Sequence, residues 1–231
     1  MPGTFHFDRC AHDYDTALDR GLSVSGESRD HFARGRITFL ARCLRELNFA
    51  ARDVLDFGCG DGASTPLLRQ IVGAQRILGL DESERSIATA RQRQVAADAT
   101  FTATAEYTPA GDFDLAYTNG VFHHVPVPQR PAAIALIRDS LRPGGLFAFW
   151  ENNPWSLPAR YVMSRIPFDR DAVMLSARTA QQLARDAGFR VLRTDYLFIF
   201  PAVLRALRPF EEIVRGLPLG AQYQVLCAKT R

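Results

Sequence analysis

The residues best suited to binding a ligand lie in the stretch VLDFGCGDG, residues 54–62, where an apolar run ends in Asp56 and three alternating glycines follow. Glycines at this spacing indicate a backbone that turns sharply and lets a ligand approach closely. With Ala63 included, the same letters satisfy the loose dinucleotide fingerprint G-x-G-x-x-G/A. Two classes of ligand therefore stay open at this point, one with a pyrophosphate and one without phosphate.

Carboxylates around this glycine loop favour the ligand without phosphate. Asp56 stands two residues before Gly58 and Asp61 lies inside the loop, and both would repel a pyrophosphate placed at a helix N-terminus. A ligand with an ammonium and a sulfonium group would instead be attracted. Asp81 follows Gly58 by 23 residues, a spacing typical of an acid that accepts hydrogen bonds from ribose hydroxyls. The alternative is that Asp81 only stabilises the N-terminus of the next helix.

Two adjacent histidines, His123 and His124, are candidates for proton transfer. They follow a predicted strand directly, and the ordinary imidazole pKa near 6.5 suits a general base. The alternative is a structural turn, with one ring packed and the other exposed to solvent. Adjacent side chains diverge and no third ligand is evident, so we predict no metal site here.

A second polar group follows the fifth predicted strand. Asn152, Asn153 and Trp155 offer amides and an indole at the same end of the sheet as the histidines, and they are candidates for contacting a substrate. The alternative is a buried polar corner in which the amides bond to the loop backbone. Both interpretations stay open on sequence alone.

Alternating strands and helices position these residues. Apolar periodicity predicts a helix from residue 28 to 47, a helix beginning at Ser64–Pro66, one from Ser83 to 94, and one over 131–141. Short apolar runs predict strands at 54–57, 76–80, 100–105, 113–118 and 146–150. Residues 151–175 read as a long ordered loop, followed by a helix over 176–187, a strand over 190–200, a helix over 202–215 and a strand over 222–228. The pattern predicts an α/β fold with a doubly wound, mostly parallel seven-stranded sheet, helices on both faces, and a last strand pairing antiparallel at an edge.

The motifs VLDFGCGDG, GLDES, FDLAYTNGVFHHV and LRPGGLFAFWE together resemble the class I S-adenosylmethionine-dependent methyltransferases over nearly the whole chain. The resemblance implies S-adenosylmethionine as cofactor and a Rossmann-like sheet. It also implies the cofactor-binding residues: Asp56, Gly58, Cys59 and Gly60 at the methionine end, Asp81 and Glu82 near the ribose, Ala105 and Glu106 beside adenine, and Asn119 through its backbone. The N-terminal segment resembles a lid over the cofactor, in which Tyr14 borders the methionine end.

Length and charge limit the remaining function classes. The 231 residues and net charge of +3 suit one domain, which we divide into a lid and helix (1–50), a cofactor-binding half (51–150) and a substrate-side half (151–231). No block of like charges predicts nucleic-acid binding. The most apolar stretch, 196–204, is too short to span a bilayer, and four cysteines without metal-ligand spacing favour the cytoplasm.

These observations favour an enzyme that methylates a small-molecule acceptor, with oxygen preferred over nitrogen or carbon as the methylated atom. Two alternatives belong to other classes. One is a non-catalytic module that binds S-adenosylmethionine and regulates a partner. The other is an NAD(P)-dependent oxidoreductase, against which Asp56 and Asp61 argue.

Overall fold

The computed structural model describes residues 26–93, 98–165 and 172–230, and seven strands form its centre. These strands are β1 (Asp53–Phe57), β2 (Arg76–Asp81), β3 (Ala99–Ala103), β4 (Phe113–Asn119), β5 (Leu141–Asn152), β6 (Phe189–Leu197) and β7 (Gln222–Lys229). They form one sheet in the order β3-β2-β1-β4-β5-β7-β6. All pairs from β3 to β5 are parallel, while β7 is antiparallel to both β5 and β6. The predicted mostly parallel sheet with an antiparallel last strand is confirmed.

Helices connect the strands. They are α1 (Arg29–Glu46), α2 (Thr65–Leu67), α3 (Glu84–Arg93), α4 (Arg130–Ser140), α5 (Leu157–Arg165), α6 (Ala177–Asp186) and α7 (Glu211–Val214). Serine hydroxyls cap two of them where helices were predicted to begin. The Ser83 Oγ accepts from the Ser86 amide at 3.1 Å, and the Ser176 Oγ accepts from the Thr179 amide at 3.1 Å. Such caps satisfy amides that have no partner within the helix. The predicted helix after Ser64 is only three residues long and continues as a π-helical turn, Leu68–Val72.

Alternation along β5 shows how helices cover both faces of the sheet. Phe147 and Phe149 point into one core, which includes residues of α4 and α6. Ala148 and Trp150 point into the opposite core, which includes residues of α1. Because successive strand residues face opposite sides, a continuous apolar run fits a strand that is buried on both faces. The predicted helices on both faces are therefore confirmed.

The segment 151–175 differs from the predicted loop, because α5 lies within it. The Ser156 Oγ accepts from the Ala159 amide at 3.3 Å, as a helix N-cap does. Ala159 and Met163 are buried, and residues four apart lie on the same face of a helix. The prolines of this segment obscured that short apolar period.

Two further predictions about the C-terminal part were wrong. First, β7 lies between β5 and β6 and not at an edge of the sheet. Second, the predicted helix over 202–215 is mostly a 3₁₀ segment, Ala202–Phe210, followed by the short α7. Pro209 lies inside that segment, and because proline has no N–H it disfavours an α-helical interior. None of the helices in the described ranges is long and apolar enough to cross a membrane.

Candidate functional site

The glycine loop between β1 and α2 is held against the end of β2. The Leu80 carbonyl accepts from the Gly58 and Cys59 amides at 2.7 and 2.9 Å. The Asp81 carboxylate accepts from the Gly60 amide at 2.9 Å through one oxygen and from the Ser83 amide at 2.9 Å through the other. Asp81 and the loop, predicted to serve the same ligand, are thus brought into direct contact.

Gly58 and Gly60 both adopt positive φ, +73° and +55°, a conformation that favours glycine. Their surroundings differ. A Cβ atom added to Gly58 would lie 2.2 Å from a methyl group of Val121, whereas one added to Gly60 meets no atom within 4 Å. Gly58 is therefore required for packing, and the open space beside Gly60 is where a ligand can approach the backbone.

Asp56 is a buried carboxyl at the end of β1. It is 2% exposed, and within the described ranges its Oδ2 has no hydrogen-bond partner. Burial, with the nearby Asp81 charge as a second cause, raises the pKa of Asp56 to about 7. A buried carboxyl with an unsatisfied oxygen fits a cationic ligand group, because a neighbouring cation stabilises the ionised carboxylate.

We expect Asp56→Asn to stabilise the ligand-free protein more at pH 8 than at pH 5. The pKa of Asp56 is about 7 in the folded protein against an ordinary value of 3.8, so the folded state binds more protons between these values and loses stability as pH rises from about 4 to about 7. Asparagine removes this dependence on pH. The free energy of unfolding of the variant, relative to that of the wild type, should therefore grow by roughly 2–3 kcal/mol from pH 5 to pH 8. Urea unfolding at both pH values measures it; an unchanged difference would contradict the shifted pKa.

A cavity of about 780 Å³ lies at the carboxyl ends of β4 and β5. Its lining comes from α1, from the segment after β4, from α5 and from the residues that flank α7. Five predicted site residues beyond the glycine loop line it: Asn119, His123, His124, Asn152 and Trp155. The Oδ1 atom of Asn119 is buried and has no hydrogen-bond partner in the described part of the chain.

His123 forms a buried pair with Glu151. Its Nδ1 atom lies 2.7 Å from the Glu151 Oε2, and the side chains are only 4% and 1% exposed. The other Glu151 oxygen accepts from the Phe122 amide at 2.7 Å. Because the carboxylate accepts at both oxygens, it fixes the tautomer with the proton on Nδ1 and leaves Nε2 as the basic nitrogen. The arrangement suits proton transfer at the cavity wall.

His124 occupies a different position from His123. It is half-buried, its ring centroid lies 4.1 Å from that of His123 at an interplanar angle of 48°, and it also lines the cavity. Among the described contacts the buried carboxylate pairs with His123. The structure therefore distinguishes the two histidines that the sequence left equivalent.

The three predicted substrate residues separate into two groups. Asn152 and Trp155 line the cavity, and Trp155 is 72% exposed. Asn153 is fully buried and does not line it: its amide group donates to the Pro218 and Gly220 carbonyls at 3.0 and 2.8 Å, and its Oδ1 accepts from the Trp155 amide at 3.1 Å. Its side chain thus connects two backbone segments, as the alternative interpretation expected, and we no longer assign it to substrate.

The remaining predicted cofactor residues lie on the β2 and β3 side of the glycine loop. Ala105 and Glu106 are exposed in a 3₁₀ turn after β3, where Glu106 accepts from the Thr102 hydroxyl at 3.1 Å. Glu82 is exposed directly after Asp81. Cys59 is buried, and burial together with neighbouring carboxylates raises the pKa of its thiol. Tyr14 lies outside the described residues.

Two residues of the site were not predicted as contacts. Glu151 lies near the end of β5, and its partner His123 follows the neighbouring parallel strand β4. An acid and a histidine at the ends of adjacent parallel strands are a signal from which this pair could have been predicted. Arg36 is 8% exposed on α1 and lines the cavity. Its cationic side chain lies within a helix rich in surface arginines, so the sequence holds no signal that singles it out.

Comparison with known proteins points to one class of enzymes, the methyltransferases. Residues 54–145 match a family model described as a methyltransferase domain. A trans-aconitate 2-methyltransferase from Delftia acidovorans is 38% identical over 121 residues, 51% of this chain and 44% of the relative. Its counterpart from an Acidovorax species is 26% identical over 206 residues, 83% of this chain and 76% of the relative. An S-adenosylmethionine-dependent methyltransferase structure from Mesorhizobium loti has a TM-score of 0.59 at 22% identity and covers 81% of this chain and 96% of its own; it supports the fold.

Proposed function

This chain belongs to the class I S-adenosylmethionine-dependent methyltransferases, and from that premise we propose that it methylates a hydroxyl oxygen of a small-molecule acceptor. The observation that carries the choice of a hydroxyl is the buried His123–Glu151 pair. A hydroxyl loses a proton when it is methylated, whereas a carboxylate does not, so only the former needs a base. The cavity that His123 lines, about 780 Å³, has the size of a small-molecule site.

The residues of the glycine loop fit S-adenosylmethionine. The unsatisfied Asp56 Oδ2 and Asn119 Oδ1 would meet the ammonium of its methionine end, and the open space at Gly60 would admit it against the backbone. Each Asp81 oxygen accepts a hydrogen bond from one amide, and because a carboxylate oxygen has two lone pairs, it would also accept from a ribose hydroxyl. We propose that Ala105 and Glu106 border the adenine and that Tyr14 borders the methionine end. Bound here, the cofactor supplies a methyl group activated by a positively charged sulfur.

The chain's own residues would position the acceptor and remove its proton. Asn152 and Trp155 line the cavity and would orient the acceptor so that its hydroxyl oxygen is aligned with the methyl carbon, since alignment supplies much of the rate in such a displacement. The Nε2 atom of His123 would accept the hydroxyl proton as the methyl group passes to the acceptor oxygen, so that the O–C bond forms while the S–C bond of the cofactor breaks and leaves a neutral thioether. Glu151 stabilises the resulting imidazolium through Nδ1.

We also propose a domain organisation and a cellular compartment for the protein. We propose that residues 1–231 act as one domain, with residues 151–231 forming most of the acceptor side. The described free cysteines, Cys43, Cys59 and Cys227, are all buried and unpaired with one another. Free thiols are typical of a reducing compartment, which supports a cytoplasmic location.

A labelled-methyl assay tests the proposed reaction. The protein is incubated with S-adenosylmethionine carrying an isotopic methyl group and a panel of hydroxylated small molecules, and the products are analysed by mass spectrometry and NMR. We expect the label on a hydroxyl oxygen. A separate incubation contains trans-aconitate, the compound in the relatives' names, which has carboxylates but no hydroxyl. Label on its carboxylate, or on nitrogen or carbon of any acceptor, would contradict a hydroxyl acceptor.

A further inference from the structure

We propose that the acceptor is a phenol and that the side chain of Phe198 forms the wall against which the acceptor's aromatic ring lies. The inference rests on the proposed function, because it names the class of hydroxyl compound that the same cavity would take. Phe198 follows β6 directly and lines the cavity together with Phe32 of α1. A ring that contacts the acceptor in this way would determine which acceptors bind.

The backbone of Phe198 adopts a conformation that large residues rarely take. Its φ is +61°, in the left-handed region, where a bulky residue is an outlier. Such a conformation costs free energy and persists only where the surrounding structure holds it. Here the Phe198 carbonyl accepts from the Ala221 amide at 3.2 Å. Gly220 packs so closely on the preceding residue that an added Cβ would lie 2.3 Å from the Leu197 carbonyl oxygen. Because strain of this kind is concentrated at ligand sites, the position of Phe198 points to a function.

The helix α1 leaves room for the Phe198 ring at Gly35. Glycine inside a helix is unfavourable relative to alanine, yet a Cβ atom added at Gly35 would lie 2.7 Å from a carbon of that ring. The missing side chain is therefore the space that the ring occupies. The ring also packs edge-on against Phe32, with centroids 4.9 Å apart and planes at 70°. These contacts fix the orientation of the ring at the cavity wall.

Residues 198–201 present apolar side chains to the cavity, while polar atoms of their backbone bond elsewhere in the protein. The Glu211 carboxylate accepts from the Ile199 and Phe200 amides at 3.1 and 2.9 Å. The Phe200 carbonyl accepts from the Arg208 Nε at 3.3 Å. Since these backbone groups already have partners, the segment can offer a ligand mainly apolar and aromatic contact. Such a wall favours an aromatic ring, which gains from ring-to-ring geometry as well as from burial.

A phenol also suits the base that lines the same cavity. His123 lies on that lining and pairs with Glu151 through Nδ1. A phenol has an ordinary pKa of about 10, whereas an aliphatic hydroxyl is a far weaker acid, so an imidazole takes the proton of a phenol more readily. The proton passes from the phenol oxygen to Nε2 while the methyl group passes from the cofactor sulfur to that oxygen. The products are an aryl methyl ether and a neutral thioether.

Phenols and their saturated counterparts test the proposal. Two phenols, 4-methylphenol and 4-propylphenol, and the matching 4-alkylcyclohexanols are titrated by calorimetry into the protein saturated with S-adenosylhomocysteine. In the wild type we expect each phenol to bind about 5- to 10-fold tighter than its cyclohexanol, because aromatic contact adds to the burial of area. In Phe198→Leu, which keeps an apolar side chain but no ring, this preference should fall to about twofold. Its affinity for the cyclohexanols should stay within about twofold of the wild type.

Gly35→Ala is a second variant that removes no aromatic atom. Its methyl group would displace the Phe198 ring, so the phenol preference should fall again. Phe210→Leu is the matched control, because Phe210 is 57% exposed and does not line the cavity. It should keep the preference of the wild type.

Equal binding of phenols and cyclohexanols by the wild type, or a phenol preference that survives in either variant, overturns the proposal. A parallel loss of both affinities in Phe198→Leu also overturns it, because the ring would then support the fold and not the acceptor. Methylation of an aliphatic hydroxyl together with equal binding would overturn this inference and leave the proposed function standing. Ring-selective binding with methyl transfer to nitrogen or carbon would instead contradict the proposed function.

Discussion

Replacing His123 with alanine is expected to lower kcat on a hydroxyl acceptor by about 10²- to 10⁴-fold, the contribution of a positioned general base. The reason is its buried pairing with Glu151, with Nδ1 2.7 Å from a carboxylate oxygen, which leaves Nε2 to accept the proton. Affinity for S-adenosylhomocysteine should change by less than twofold, because the glycine loop does not contain His123. Single-turnover rates and calorimetry measure the two quantities separately.

Glu151→Gln gives a sharper test of the same pair. Both Glu151 oxygens accept, one from His123 and one from the Phe122 amide, and glutamine has only one oxygen. Its NH₂ group must face either the Phe122 N–H or the His123 Nδ1. The second orientation moves the imidazole proton to Nε2, so kcat should fall by at least about tenfold.

Two results would contradict the assignment of His123 as the base. One is a kcat in His123→Ala that stays within about threefold of the wild type. The other is a larger loss in His124→Ala than in His123→Ala, since the buried Glu151 carboxylate pairs with His123. The pH profile of the wild type should show a fall in rate on the acidic side, where a protonated histidine cannot accept a proton, and this fall should disappear in the His123 variant.

Asp81→Ala is expected to weaken S-adenosylhomocysteine binding by at least about 100-fold. Two ribose hydroxyls would each lose a charge-assisted hydrogen bond, at about 1.5–3 kcal/mol apiece. The structure adds a second cause, because Asp81 also accepts from the Gly60 amide at 2.9 Å. Its removal releases the glycine loop at the point where the ligand approaches. Isothermal titration calorimetry measures the loss.

Glu84→Ala is the control for the Asp81 variant. Glu84 is an exposed acid at the start of α3 and is not among the predicted cofactor residues, so its removal changes the local charge without loosening the loop, and we expect less than a threefold change. Asp81→Asn keeps one acceptor oxygen and should give an intermediate affinity. Full cofactor affinity in Asp81→Ala, with native circular dichroism, would show that the ligand does not contact this carboxylate.

The sequence predicted those features that depend on local pattern. Alternation and glycine spacing identified the sheet, the loop and Asp81, because a strand followed by a turn imposes its own residue types. Contacts between distant segments were harder to predict from the sequence. Asn153 is buried against residues 218–220, and Arg36 bonds to Gln222, so both contacts join positions far apart in the chain. The residue pattern of one segment does not indicate which distant segment it will contact. The place of β7 inside the sheet depends on strand pairing in the same way.

The insertion of β7 between two earlier strands has a consequence for biosynthesis. Both neighbours, β5 and β6, precede β7 in the chain, so a growing polypeptide has two unpaired strand edges until residues 222–229 have been made. Such edges can pair with other chains, and this interval is therefore the one in which chaperones would protect the nascent protein most. Gln222 arrives with the same strand and lines the cavity. The acceptor side of the cavity is thus completed last, so a ribosome-bound chain that stops short of residue 222 could hold the cofactor loop without a finished acceptor site.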